Sequence, residues 1–147
     1  MSRREAFEAG KASRTDPNYK VARKFYPATS VLMVGNHPSG ATSATIEDIP
    51  GLSSTVRVYK GKKNIGVLDA GRKIDHVETH SEHQRKGVAT LMDRLNNFEA
   101  GRQGYESVAH ASVRTPQGDA WAKKVGGDLP ERVPSFGMNK SLLEDIK

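Results

Sequence analysis

Ile74-Asp75-His76-Val77-Glu78-Thr79-His80, then Ser81-Glu82-His83-Gln84-Arg85-Lys86-Gly87, then Val88-Ala89-Thr90-Leu91-Met92-Asp93-Arg94-Leu95-Asn96-Asn97-Phe98 is the stretch on which the fold turns. The first segment alternates as a strand does, with Asp75, Val77 and Thr79 on one face and Ile74, His76, Glu78 and His80 on the other. In the third, Val88, Leu91, Met92, Leu95 and Phe98 fall at i, i+3, i+4, i+7 and i+10, the apolar stripe of a helix. Arg85, Lys86, Asp93, Arg94 and Asn97 are assigned to its outer side, and Gly101 to its end. A strand, a polar loop and a helix in this order leave unpaired N–H groups and the positive end of the helix dipole at Gly87. An anion placed there is held by several amides at once. Gly87 lets the backbone approach closely, Ala89 keeps the next turn nearly bare, and Thr90 adds a hydroxyl. Arg85 and Lys86 raise the local positive potential.

Strand patterns precede this unit. Ser30–Val34 is a short apolar run closed by the turn-rich Gly35–Gly40, and Ala41–Ile46 reads as its hairpin partner. Val56–Tyr59 and Ile65–Leu68 are further strands around a polar turn at Lys60–Asn64. After the helix come a strand over Ser107–Val113 and a helix over Gly118–Val125 closed by Gly126-Gly127. The tail near Arg132-Val133 and Phe136–Met138 would add one or two strands. Arg3–Arg14 reads as a short helix with Ala6 and Phe7 as its apolar contacts. Asp16-Pro17 starts a second one running to about Phe25, with a basic arm as the alternative.

A chain of 147 residues suits one domain. The division expected is a basic N-terminal arm or short helices over 1–29 and one domain over 30–147. No stretch approaches the ~20 apolar residues of a membrane span, and Met1–Glu5 leads into charge rather than a signal core, so no membrane partner is expected. Cysteine is absent, which excludes disulfides, thiolate metal sites and a cysteine nucleophile, and makes the cytoplasm the expected location. The net charge of +6 suits an anionic partner. The basic residues are dispersed, without a run of five, so a nucleic-acid partner is not the expectation.

Gln84-x-x-Gly87-x-Ala89 resembles the Gln/Arg-x-x-Gly-x-Gly/Ala signature of the GNAT N-acetyltransferase superfamily. Thr79-His80-Ser81-Glu82-His83 stands where that family often carries valine-histidine-proline-glutamate-aromatic. The likeness spans roughly residues 55 to 127. It implies an α+β fold: a mixed, mostly antiparallel twisted sheet flanked by helices in three α-β-α layers. It further implies an acyltransferase moving an acetyl group from acetyl-CoA to an amine by direct transfer. The backbone of Val77, Glu78 and Thr79 would hold the pantetheine arm and polarise the thioester. The amides of Gln84, Arg85, Lys86, Gly87, Val88 and Ala89, with Thr90, would take the pyrophosphate.

An amine acceptor with a pKa near 10.4 must lose a proton before attack. The family's base positions on this strand fall on Lys73 and Asp75, of which Asp75 is usable; Glu78 is the second candidate. The alternative for Asp75 is a solvated carboxylate or an ion pair with Arg72 or Lys73. Ala122 stands where the family has a tyrosine that protonates the departing thiolate, with Trp121 adjacent. A fold that binds the cofactor without catalysis is therefore the second reading, and a small basic nucleic-acid-binding protein the third. A homodimer is left open.

His76, His80 and His83 are spaced i, i+4 and i+7, which would set three imidazoles on one helix face to bind zinc. The strand pattern over 74–80 sets that aside, so no metal is expected. His110, isolated on the later strand, reads as a structural histidine, with a base approaching the cleft as the alternative.

Overall fold

The computed structural model describes residues 2–13, 22–23, 28–49, 53–71, 73–104, 108–110, 113–127, 129–134 and 143. The class is α+β. Helix α1 is Arg3–Ser13, followed by strands β1 (Ala22–Arg23), β2 (Ala28–Met33), β3 (Ser43–Ile49), β4 (Ser53–Lys60), β5 (Lys63–Ala70) and β6 (Ile74–Thr79). A 3-10 turn, Ser81–His83, leads to α2 (Val88–Gln103). Then come β7 (Val113–Arg114), α3 (Pro116–Val125) and β8 (Val133–Pro134). Strands β1 to β6 form an antiparallel meander in sequence order, and β7 pairs in parallel with β8.

The meander matches the alternating sequence from residue 28 onward, and Ala41–Ile46 returns on Ser30–Val34 as expected, with Leu32 opposite Ala44 and Ser30 opposite Ile46. The second helix expected over Asp16–Phe25 lies largely outside the described residues; Ala22-Arg23 within it are extended and pair with Val31 and Ser30. The tail strand at Phe136–Met138 also falls outside them, as do Ser107 and residues 111–112 of the Ser107–Val113 strand.

Residues paired across strands share a face. Ala44, Ile46, Val56, Val58, Leu68, Ala70 and Ile74 join Val88 and Met92 of α2 in one core cluster. Gly66 sets how closely α2 can lie on the sheet. A Cβ there would come 2.6 Å from Val88 Cγ1 and 3.0 Å from Met92 Sδ. The sheet therefore positions the first turns of α2, where Gly87 sits.

Helix α2 departs from its expected polarity. Asp93 and Asn97 are fully buried, not outward, because a second helix covers them. α1 packs along α2 with glycines at the crossing: a Cβ on Gly10 would lie 2.0 Å from the Phe98 carbonyl oxygen, and one on Gly101 2.1 Å from that of Phe7. Gly101 is thus a contact residue inside the helix. The helix ends at Gly104, whose φ of 83° is left-handed and whose N–H donates to the Gly101 carbonyl. Asp93 is met by Arg3 Nε at 2.9 Å, Arg94 Nη1 at 2.7 Å and Asn97 Nδ2 at 3.2 Å. Arg3 also donates to the carbonyls of Gly126 and Val108, tying α1 to the segments on either side of α3.

Candidate active site

β6 carries the first group of expected residues, and its register is not uniform. Ala70 lies opposite Ile74, Asp69 opposite His76, Leu68 opposite Val77, and Gly66 opposite Thr79. A register shift between Asp69 and Ala70 thus places Ile74 and Val77 on the same face although they are three apart. The simple alternation holds only from His76 onward, and the expected row Asp75–Val77–Thr79 is broken at Asp75. Val77 and Thr79 face α2, whereas His76 and Glu78 share the opposite face, joined by a 3.1 Å contact between Nε2 and Oε1. Asp75 sits at the irregularity, exposed, and has no ion pair among the described residues. Partial desolvation, then the nearby Asp69 carboxylate, raise its pKa above the ordinary aspartate value.

The outer edge of β6 is the second feature. Ile74 N–H donates to the Ala109 carbonyl at 2.8 Å, and Lys73 forms a parallel bridge with Ala109. Beyond that point no described strand pairs with this edge of β6, since β7 turns to β8 instead. Lys73 and Ala109 stand side by side at that point, and the edge of β6 beyond it carries Val77, Glu78 and Thr79.

The loop after β6 is built by hydrogen bonds of its own. His80 N–H donates to the Ile65 carbonyl, and His83 N–H to that of His80. His80 Nδ1 accepts from Glu82 N–H at 3.3 Å, and Gln84 Nε2 donates to the Thr79 carbonyl at 3.3 Å. Arg85 has a φ of 62° and Gly87 one of 82°, both left-handed, so the chain turns sharply twice before α2 begins. Gly87 occupies the N-cap position, and no side chain caps the first-turn N–H groups there. A serine, threonine or aspartate at this position would have filled them. The amides of Val88, Ala89 and Thr90 are left for another acceptor.

Two neighbours complete this cradle, and both come from far away in sequence. The loop between β2 and β3 brings His37 alongside Gly87: its Nε2 lies 3.5 Å from where a Gly87 Cβ would be. His37 Nδ1 accepts from Ser39 N–H at 3.2 Å and lies 2.6 Å from Ser39 Oγ, which itself accepts from Ala41 N–H. With Nδ1 accepting, the ring proton sits on Nε2, on the side of the cradle. From α3, Trp121 Nε1 donates to Thr90 Oγ1 at 3.2 Å. The hydroxyl expected to join the anion site is thus oriented by Trp121 and keeps its proton for donation.

The sequence contains no signal that would link His37 to Gly87. Its turn-rich surroundings predict a loop, and only the closed meander carries that loop to the start of α2. His110 is buried at 2% exposure, with Nε2 2.8 Å from the Gly126 carbonyl and its ring edge-on to Trp121. Burial lowers its pKa, so it is a neutral packing residue apart from the cradle.

The histidines that sequence spacing grouped are regrouped by the fold. His76 lies on β6 with Glu78. His80 and His83 come together through the 3-10 turn, with ring centroids 5.8 Å apart, and Glu82 lies between them in sequence. His83 is 7% exposed and its Nδ1 has no hydrogen-bond partner among the described residues. Desolvation, then Lys60, Lys86, Lys63 and His80, lower its pKa and favour the neutral ring.

No described helix is long and apolar enough to cross a membrane. Comparison with protein-family models gave no match, and neither did comparison with curated proteins or with solved structures.

Proposed function

We propose that this chain is an acetyl-CoA-dependent N-acyltransferase with a GNAT-like fold. The observation that carries the reading is the uncapped start of α2. Gly87, in the Gln84-x-x-Gly87-x-Ala89 loop, lies in a left-handed conformation with His37 and the Thr90 hydroxyl nearby. Three free amides and the helix dipole suit a pyrophosphate. The outer edge of β6, with which no described strand pairs beyond the Lys73–Ala109 bridge, supports the same reading. An extended pantetheine arm placed there could bond to the edge of β6 at Val77, Glu78 and Thr79, as a strand would.

In this arrangement the thioester carbonyl meets the end of β6, and the acceptor amine approaches from the side of Asp75. A neutral amine nitrogen attacks the carbonyl carbon, the C–S bond breaks, and the acetyl group leaves on nitrogen with coenzyme A thiol as the second product. Asp75 accepts the amine proton directly or through water. Its raised pKa makes it a stronger base than an ordinary aspartate. Glu78, engaged with His76, is less available. Ala122 supplies no acid, so the thiolate leaves unassisted, with Trp121 serving Thr90 instead.

The chemistry needs no oxidising compartment, and the cytoplasm is the location proposed. A cofactor-binding module without catalysis is the second reading, favoured by Ala122. Thiol release from acetyl-CoA across a panel of small amines and peptide amines separates the two. We expect release with at least one amine. Asp75→Asn should lower it about 100-fold or more, the scale of a lost general base. Because the carboxylate is the active form, the wild-type rate should fall as pH drops through the raised pKa of Asp75. Cofactor binding with no thiol release from any amine would leave only the module.

A further inference from the structure

Outside the cradle, the described residues hold one group of side chains with metal-ligand chemistry. His80, Glu82 and His83 each offer a ligand atom, and the three atoms lie within 4.8 Å of one another. We propose that the Ser81–His83 turn is a binding site for a divalent transition-metal ion of the zinc class, held by His80, Glu82 and His83.

Two imidazoles and one carboxylate are a donor set such ions accept, with a fourth position left to water. A tetrahedral ion with bonds of about 2.0–2.1 Å brings its ligand atoms to roughly 3.4 Å of one another, so a spacing within 4.8 Å must close by up to about 1.4 Å. Side-chain rotation can supply that. Glu82 is exposed, and the one hydrogen bond of the His80 ring among the described residues is a long contact from Glu82 N–H at 3.3 Å.

His83 gives the independent indication. It is 7% exposed, yet its Nδ1 has no partner among the described residues. Buried polar atoms are almost always satisfied, so an orphaned nitrogen on an imidazole that neighbours a second imidazole and a carboxylate asks for a partner such as an ion.

The neighbouring cations make a specific demand. Lys63 Nζ lies 3.3 Å from Glu82 Oε2 and competes with the ion for that carboxylate. Lys60 and Lys86 add positive potential at His83. Removing Lys63 should therefore strengthen binding, an effect that nonspecific histidine binding would not show. The pair with His76 that the spacing of the sequence suggests is not part of the site, because His76 faces Glu78 on the strand.

The test is a calorimetric titration of the full chain with Zn2+, repeated with Co2+ to read coordination from its visible absorption. The wild type should take up one ion per chain. His80→Ala and Glu82→Gln should each weaken binding about tenfold or more, the scale seen when a metal site loses support. Lys63→Ala should tighten it, and His76→Ala should leave it unchanged. His83→Ala should abolish binding; because His83 is buried, circular dichroism checks that the variant folds, and the more exposed His80 and Glu82 decide the matter if it does not. Absence of uptake by the wild type would overturn the proposal. So would equal weakening by His76→Ala and His80→Ala.

Discussion

Arg3 is 4% exposed, and its guanidinium meets the Asp93 carboxylate and the carbonyls of Gly126 and Val108. In sequence it is one of several basic residues near the start of the chain, and charge alone gives no sign of its burial. Only the packing of α1 on α2 turns it inward. Removing it leaves Asp93 charged in a dry setting, with Arg94 and Asn97 as remaining partners. A buried pair broken on one side costs about 3–5 kcal/mol, whereas an exposed pair is worth about 0–1. Arg3→Ala should therefore cost about 3 kcal/mol, lowering Tm by roughly 6–12 °C. Adding Asp93→Asn should recover part of that, since the unpaired charge is removed. Thermal melts of the single and double variants check this. A loss under about 1 kcal/mol for Arg3→Ala would show that the pair is solvated. His37 teaches the same lesson at the cradle: its role depends on a contact fifty residues away in the chain, which no local pattern encodes.

Among the elements, the strands were the most legible. Val56, Val58, Ile65, Val67 and Leu68 are fully buried where the apolar pattern places strands. α3 was legible at its C-terminal end but starts at Pro116, two residues before the Gly118 expected, because Thr115 Oγ1 caps it by accepting from Gly118 N–H and Pro116 opens the helix. α2 was legible in position but not in polarity. A single apolar stripe reads as one buried face, yet α2 has a second, where small and polar residues meet α1. Gly101 looks like a helix terminator for the same reason: its lack of a side chain signals either an end or a close crossing, and the sequence offers no way to choose. Alanine at Gly101 would gain up to about 1 kcal/mol of helix propensity. Its Cβ, however, would meet the Phe7 carbonyl oxygen at 2.1 Å, which forces the helices apart. Overpacking of this kind costs about 1–3 kcal/mol and should win. Gly101→Ala should melt below the wild type, by differential scanning calorimetry; an equal or higher Tm would contradict the close crossing.

At the scale of the molecule, the meander, the core beneath α2 and the outer edge of β6 converge on one place, the start of α2. The sheet fixes that start through Gly66, which admits Val88 and Met92. The β2–β3 loop delivers His37, and α3 delivers Trp121 to Thr90. The loop motif at Gln84–Ala89 was readable because backbone requirements write themselves as glycine and small residues at fixed spacing. The partners of the cradle were not, because side chains supplied by distant loops leave no spacing to read. The face of Asp75 was misread because a register shift within a strand carries no compositional mark.

The central claim is that the Gly87 cradle binds acetyl-CoA, and a thermal-shift titration of wild type against Gly87→Val tests it most directly. Valine at a φ of 82° is strained and would place its side chain against His37. With acetyl-CoA at about 100 times Kd, the wild type should gain about 2.7 kcal/mol, or roughly 5–10 °C in Tm. Gly87→Val, folded but blocked, should gain nothing. An unmoved wild-type Tm, or an equal gain in the valine variant, would contradict the account.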